Sequence, residues 1–550
     1  MSSAEEVKQN SRHLRGSILG ELTLERPDFT KETVQILKFH GSYQQSDRDL
    51  RKLSQADFSS MVRVGIPGGA LSADQYLRLD RLADEVGDGG LRVTSRQDIQ
   101  FHRVRKTDLR ALMQVLNANL LTTLAACGDV VRNVVCCPAP LAGDGRDGMQ
   151  QLAQSLARQF KPKTRAYYEV WLDGEKAAAA ETAPPEEEPL YGAAYLPRKF
   201  KIGIAAAADN CIDVYSHDVG VVPGPRGFTL LVGGGLGMSF GAKATHPRLA
   251  DPLCVVEPER LTAAIEAIIS IHRDHGNRTN RKLARLKYVL DEWGLERFRT
   301  EFESRLGGPV APPEQLAWLN ASDHLGWRLQ ADGSWMLGLP IPSGRIRDVE
   351  GARWRTALRE AVERFRPGVR LTPQQNVLLT CIPANAREEV SQLLAGHGAR
   401  LAEQLPPVVR DALACVALPT CGLALAEAER VLPEIMEGIH GVLAESGLGE
   451  QAVSVRISGC PNGCSRPYTA EIGIVGQSVD LYTVFLGASP LGTRLGSVFA
   501  EKVPRREIAV RLAPVVRLYA TERRTNEAFG DFCHRVGMAS LQPEERTVAS

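Results

Sequence analysis

The chain has 550 residues, 43% apolar and 24% charged, with 66 basic side chains against 65 acidic ones. That length exceeds one hydrophobic core and calls for roughly two to four domains. The balanced charge excludes bulk nucleic-acid binding, and no apolar run approaches the ~20 residues of a membrane span.

The start, MSSAEEVKQNSRHLRG, is polar and lacks the apolar core of a signal peptide. Acidic residues within it argue against a transit peptide, so a cytoplasmic protein is expected. The 11 cysteines are an odd number, which argues against a disulfide framework. Cys127, Cys211, Cys254, Cys381 and Cys533 lie in apolar context and read as small buried hydrophobes. The adjacent Cys136 and Cys137 read as structural too, pointing to opposite faces of a strand.

From Met61 the chain reads strand, Pro-Gly turn, helix, short Gly loop, strand; from Trp335 it reads the same way with a Ser-Gly turn. The closing stretches match, LRVTSRQDIQF against VRLTPQQNVLL, and each precedes a helical pattern, Asp108–Leu116 and Ala386–Leu394. This is a duplicated β-α-β unit. Each copy leads into a longer α/β region. In the first, strands are expected at Tyr167–Leu172, Phe200–Ala205 and Phe228–Val232, with a helix at Leu261–His275. TAPPEEEPLYG reads as a solvated loop. In the second region the spacing predicts helices over Ala424–Glu445 and Glu507–Thr521 and strands over Ser454–Ile457 and Glu471–Val475. Both halves are expected to pack about one pseudo-two-fold axis.

Four cysteines form a set: Cys415 and Cys421 with five residues between them, then a gap of 38, then Cys460 and Cys464 around PNG. Four thiolates are the usual complement of a 4Fe-4S cluster, and the five-residue gap disfavours structural zinc. Zinc and unligated buried thiols stay open as alternatives. A cluster by itself moves one electron, and a simple carrier needs far less chain. A second cofactor or a substrate chemistry is therefore expected.

The first half carries the cations. Arg63 precedes GIPGG. Arg92, Thr94, Arg96, Gln100 and His102 differ by even numbers and are expected on one face of a strand. Arg132 sits in the apolar run VVRNVV; Arg198, Lys199 and Lys201 sit in YLPRKFK; Arg278, Arg281 and Lys282 sit in GNRTNRK. A solvated face is the bland reading, but a charge inside VVRNVV is costly to bury unpaired. Many cations with few local anions predict a polyanionic ligand held by guanidinium–carboxylate bonds. The second half has Arg370, Thr372 and Gln374 at the matching positions, one arginine having become glutamine.

With FHGSYQQSDRDLR, LRVTSRQDIQFH, RNVVC, YLPRKFK, LLVGGGLG, GNRTNRK, the C-x5-C pair, GCPNGC and FGDF, nearly the whole chain resembles the sulfite and nitrite reductases that carry sirohaem and a 4Fe-4S cluster. Within them it is most similar to the haemoprotein (beta) component of the NADPH-linked assimilatory sulfite reductases. The resemblance implies an α/β fold: an N-terminal extension (1–60) for partner contact, a duplicated ferredoxin-like pair (61–125 and 331–401), a sirohaem and substrate domain (126–330), and a cluster domain (402–550). It implies cluster ligation by Cys415, Cys421, Cys460 and Cys464, with Cys464 also joining the cluster to the sirohaem iron. Arg63, Arg132, Lys199 and Lys201 match substrate-facing cations; Arg92, Thr94, Arg96, Gln100, His102 and Asn462 match residues around the sirohaem. The eight carboxylates of that macrocycle would account for the cationic face.

The implied activity is six-electron reduction of sulfite to sulfide in sulfur assimilation and cysteine biosynthesis. The donor would be a separate flavoprotein, with ferredoxin as the alternative. Rival readings are reduction of nitrite to ammonia, a non-catalytic iron–sulfur electron-transfer subunit, and a zinc-stabilised binding module. Lys201 favours sulfite, because nitrite-reducing relatives tend to carry Asn there. Ser465 and Gly65 depart from close relatives, which often have Gly and Arg, and bear on fine tuning.

Overall fold

The computed structural model describes residues 3–51, 57–142, 146, 148–164, 169–172, 175–179 and 188–542. The expected strand Tyr167–Leu172 is seen only as Glu169–Leu172, its first two residues lying outside the described ones. Of the stretch expected as a solvated loop, residues 182–187 lie outside the described ones too; Glu188 is buried and accepts a hydrogen bond from Lys163 N at 2.6 Å.

Four five-stranded sheets make two matched pairs. The first runs Ser42–Ser46, Phe58–Val64, Ile99–Val104, Leu91–Val93 and Arg345–Ile346; the second runs Gly326–Leu329, Trp335–Leu339, Val377–Ile382, Gly368–Leu371 and Ala70–Leu71. Each ends in a two-residue strand lent by the other half. This reciprocal loan ties the repeats about a pseudo-two-fold axis. Their helices, Ala73–Val86 and Trp354–Phe365, share one core. Arg355 pins them, donating to Asp80 Oδ1 at 2.7 Å and to Asp84.

The other two sheets repeat each other strand for strand. One runs Val135–Cys136, Ile202–Ile204, Val219–Gly224, Gly227–Val232 and Asp251–Val256; the other runs Leu413–Ala414, Val455–Ser458, Ile472–Ser478, Leu481–Leu486 and Ser497–Pro504. Both have two parallel pairings followed by two antiparallel ones. Parallel neighbours need a crossover, here the helices Met149–Gln159 and Leu432–Glu445. Closing helices follow at Leu261–His275 and Ile508–Glu522.

Three expectations need correction. The stretch from Arg92 to His102 is not one strand but a hairpin. Thr94 Oγ1 accepts from Arg96 N and Asp98 N, and Gln97 takes a positive φ of 57°, which turns the chain. The helix expected from Ala424 begins only at Leu432, because Leu425 N and Ala426 N donate to Gly459 O instead. Cys381 is exposed, whereas Cys127, Cys211, Cys254 and Cys533 are buried as expected.

Candidate active site

The hairpin that replaces the expected strand still gathers the cations. Arg63 pairs across strands with Gln100, Gln100 with Arg92, and Arg92 with Arg345. Directly opposed residues share a face, so these four side chains form one row, and His102, two residues from Gln100, joins it. With its amide turned to suit, Gln100 Oε1 accepts from Arg63 Nη2 at 2.7 Å. Arg345 donates to Glu429 at 2.8 Å. Arg92 is buried and donates to Ser343 O (3.2 Å) and Ala414 O (3.0 Å), so it reaches the backbone beside Cys415. Thr94 is spent on the turn. Burial, then Arg345 and Arg92, hold the His102 imidazole well below its ordinary range, so it is neutral near pH 7.

A second cationic group comes from the neighbouring sheet. Phe200 is buried; its N donates to Val130 O and its O accepts from Arg132 N. Strand alternation about Phe200 sends Lys199 and Lys201 to the other side. Both ammonium groups are held well below the usual lysine range, chiefly by burial. The next causes are Lys201 and Arg132 for Lys199, and Arg96 and Arg285 for Lys201. Arg132 donates Nε and Nη2 to Gly128 O at 3.2 Å. Arg96 donates to Asn133 O and to Ile202 O (3.4 Å), and its Nε is buried with no partner among the described residues. Cations crowded this closely repel each other and call for an anion. Asp98 lies 3.9 Å from Arg63, and burial pushes its carboxyl up to about 7.

The cysteines line a shelf facing these cations. Cys460 is buried, Cys415 and Cys421 are half-buried, and Cys464 is exposed although Gly463 and Ser465 beside it are buried. Burial, then the Cys464 sulfur, pushes the thiols of Cys415, Cys421 and Cys460 up, Cys460 to about 11, so the four lie within electrostatic reach of one another. Gly459 N donates to Cys415 Sγ at 3.3 Å and Asn462 Nδ2 to Cys460 Sγ at 3.5 Å, the N–H contacts expected around cluster thiolates. A Cβ on Gly459 would sit 2.5 Å from both Ala417 Cβ and Ala426 O, so only glycine lets the two cysteine loops close up. The Cys464 sulfur also acts on Arg63 and Arg92. Ser95 Oγ donates to Cys464 O at 3.0 Å and Arg466 Nη2 to Pro373 O at 2.9 Å, so loops of both halves grip the shelf.

The structure thus brings Arg63, Arg96, Gln100, Arg132, Lys199 and Lys201 to one region with Cys464, and places Arg92 and His102 at its edge. Several residues had been missed. Arg345 completes the row; Asp98 is the acid among the cations; Lys287 Nζ ties the glycine loop, donating to Gly235 O at 2.9 Å and Gly237 O at 3.2 Å. Arg48, in the N-terminal extension, donates to Ala424 O and Gly422 O at 2.9 Å and braces the Cys421 loop. DRDLR was visible as a motif, but its targets, 374 and 376 residues away, were not.

Two family models match. The nitrite and sulphite reductase 4Fe-4S domain matches residues 152–310, and the nitrite/sulfite reductase ferredoxin-like half domain matches residues 51–119 and 328–397. Relatives cover nearly the whole chain. The sulfite reductase [NADPH] hemoprotein beta-component of Myxococcus xanthus is 43% identical, over 98% of this chain and 97% of its own. The sulfite reductase [ferredoxin] of Synechococcus elongatus is 41% identical, over 98% and 90%. The chain belongs to the nitrite and sulfite reductase family. The solved structure of the Mycobacterium tuberculosis NirA protein, 25% identical, superposes with a TM-score of 0.79 over 98% of this chain and 97% of that one. The half-domain model matches this chain twice, once in each repeat of the first duplication. The matched 4Fe-4S domain model ends before the four cysteines, which the second, repeated α/β sheet carries.

Proposed function

We propose that this cleft reduces sulfite to sulfide by six electrons, with Arg63, Arg132, Lys199 and Lys201 binding the oxyanion. The observation that carries the reading is an exposed Cys464 sulfur beside Arg63, with Arg96, Arg132, Lys199 and Lys201 crowded together so that each disfavours the next one's charge. The donor set fits both expected cofactors. Cys415, Cys421, Cys460 and Cys464 would hold a 4Fe-4S cluster, with Asn462 donating to Cys460; Arg63, Arg92, Arg96 and Gln100, with Thr94 and His102, would hold sirohaem by its carboxylates. Bound there, those groups would supply single-electron transfer and a redox-active metal.

The remaining work belongs to the chain. Sulfite is a dianion, and its conversion to HS⁻ consumes seven protons and releases three waters. Lys199 and Lys201 attract it electrostatically and fix its oxygens. Because burial disfavours their ammonium forms, each gives up a proton from Nζ more readily than an ordinary lysine, which suits a donor to a departing oxygen. Arg63 and Arg132 keep their charge throughout and stabilise the negative oxygen as its bond lengthens. Asp98, whose carboxyl burial pushes up to about 7, is partly protonated near pH 7 and can exchange a proton with the site.

We assign residues 126–330 to sirohaem and substrate and 402–550 to the cluster. The electron donor is a flavoprotein or a ferredoxin: the names of relatives carry NADPH in most cases and ferredoxin in one, and the N-terminal extension favours an NADPH-linked flavoprotein. No helix among the described residues is long and apolar enough to cross a membrane, and we place the protein in the cytoplasm on its free thiols. The test is turnover of the purified holoenzyme with reduced methyl viologen, sulfite and nitrite in parallel. Sulfide release with a higher kcat/KM for sulfite is expected. Absence of sulfide, or of isobacteriochlorin-type visible bands, overturns the reading.

A further inference from the structure

The two large sheets are related by more than strand order. In one, Ile204 pairs with Cys136 on one side and Val221 on the other; in the other, Ile457 pairs with Ala414 and Ile474. The spacing between paired positions is the same in both copies, 17 residues from 204 to 221 and 17 from 457 to 474. The loops between them therefore align without a gap. Asp213, at φ 53°, falls on Arg466, at φ 60°, and the short helical turns Val214–Ser216 and Pro467–Thr469 coincide. Under this alignment Cys211 falls on Cys464, Asp209 on Asn462, and Cys137 on Cys415. Even the backbone bonds agree: Cys137 N donates to Ile204 O, and Cys415 N to Ile457 O, both at 3.2 Å.

The mate of the cysteine shelf thus keeps two of its four thiols, and the structure fills the remainder. His324, from the loop before Gly326–Leu329, completes a set with Cys137, Asp209 and Cys211 whose ligand atoms lie within 4.8 Å of one another. His324 Nε2 is 3.5 Å from Cys137 Sγ and 3.1 Å from Asp209 Oδ2, and those two are 4.0 Å apart. A tetrahedral zinc ion with Zn–S of ~2.3 Å and Zn–N or Zn–O of ~2.0–2.2 Å has edges of roughly 3.4–3.8 Å. All four residues are buried, Asp209 at 3% and Cys211 at 1% exposure.

We propose that Cys137, Asp209, Cys211 and His324 hold a structural zinc ion at the pseudo-symmetric counterpart of the iron–sulfur cysteines. The surroundings suit a closed four-ligand site. Asp209 Oδ1 accepts from Cys211 N (3.0 Å) and Asn320 Nδ2 (2.9 Å), which leaves Oδ2 aimed at the centre. Arg146 donates to Cys137 Sγ at 2.9 Å and Asp209 Oδ2 at 2.8 Å. Two thiolates, one carboxylate and Zn²⁺ sum to one negative charge, which the Arg146 guanidinium cancels. Two thiols are too few for a cube-shaped cluster, and no ligand position is left for substrate, so the ion staples three chain segments. Binding expels the thiol protons and involves no electron transfer.

The test is metal analysis of holoenzyme dialysed against a chelator, with zinc and iron read on the same sample. About one zinc per chain is expected beside full iron. Cys211→Ser should lose the zinc and keep the iron. Asn320→Ala, which removes the hydrogen bond that orients Asp209 and two local bonds to Ser322, leaves all four ligands in place and should bind added zinc about 10–100-fold more weakly while folding normally. Iron-replete protein with only trace zinc overturns the proposal. So does wild-type zinc affinity in Asn320→Ala, or a disulfide between Cys137 and Cys211 by intact mass. Because iron and zinc are counted apart, failure of the sulfite reading leaves a distinct result.

Discussion

Lys201→Met isolates one charge in the cleft. The main chain at Lys201 is held without its ammonium: N donates to Asp218 Oδ2 at 2.9 Å and O accepts from Val219 N at 3.1 Å. Asp218 is itself fixed by Arg285 at 2.8 Å. Methionine keeps the length of the stem, so the substitution removes a cation and little else. One unit charge acting on another ~4 Å away at an effective dielectric of ~20 is worth about 4 kcal/mol. Loss of one preorganised donor to a developing oxyanion costs about 3–4 kcal/mol. The two routes agree on a drop of roughly 10²–10³-fold in kcat/KM for sulfite. Because burial and Arg96 already disfavour the ammonium, the variant should be no less stable than the wild type. The assay is viologen-driven sulfide release, with visible spectrum and iron content as controls. Unchanged turnover refutes the role of Lys201, and loss of the cofactor spectrum shows that the lysine acts by holding the site together.

Two further outcomes follow from buried charges. Arg355→Met leaves Asp80, which is fully buried, with Arg359 as its remaining side-chain partner; a loss of about 3–5 kcal/mol is expected, read as a lower urea midpoint. An unchanged midpoint would show that the strand loan alone fastens the repeats. His40 and His272 donate from Nε2 to the carbonyl oxygens of Leu14 and Ala284, and burial pushes both down to about 4. With the unfolded value near 6.5, the unfolded chain binds protons first, so stability is full above ~6.5 and falls between there and about 4. Each histidine accounts for about 3 kcal/mol of that fall. Thermal midpoints from pH 7.5 to 5 should therefore drop less in His40→Gln than in the wild type; parallel curves would refute the assignment.

What the sequence made legible depended on how local the signal was. The four cysteines and the matched stretches at Arg92 and Arg370 stood out because spacing and residue type travel together. The hairpin at Thr94 did not, since it uses a threonine hydroxyl and a positive φ at Gln97 rather than Gly or Pro. The helix expected from Ala424 followed intrinsic propensity, which the contact with Gly459 O overrides. Arg345 could not be placed among the cations, because it belongs to the second repeat and enters the first sheet only through a two-residue strand. The second duplication, of the large sheets, left few shared residues, Cys137 and Cys211 among them. Its register is fixed by the equal 17-residue spacing of paired strands and by the coincident turns at Asp213 and Arg466.

That second duplication explains how the halves divided their chemistry. Gln374 stands where Arg96 stands in the other copy. Its amide reaches Cys211 O (3.3 Å) and Ala321 O (2.9 Å), just as Arg96 reaches Asn133 O and Ile202 O. Replacing a guanidinium by a neutral amide removes the demand for an anion. The other cation kept in the second copy, Arg370, is taken up by Gln150 at 2.6 Å. With no polyanion to hold open a cavity, that side can close, and its buried polar groups must then be satisfied from within. Cys137, Asp209, Cys211 and His324, with Arg146, do this as a nearly neutral set. The active side keeps the opposite condition: its cations repel one another until anions arrive. A chain with Gln374→Arg should therefore fold poorly, because it would restore the charge without restoring the space.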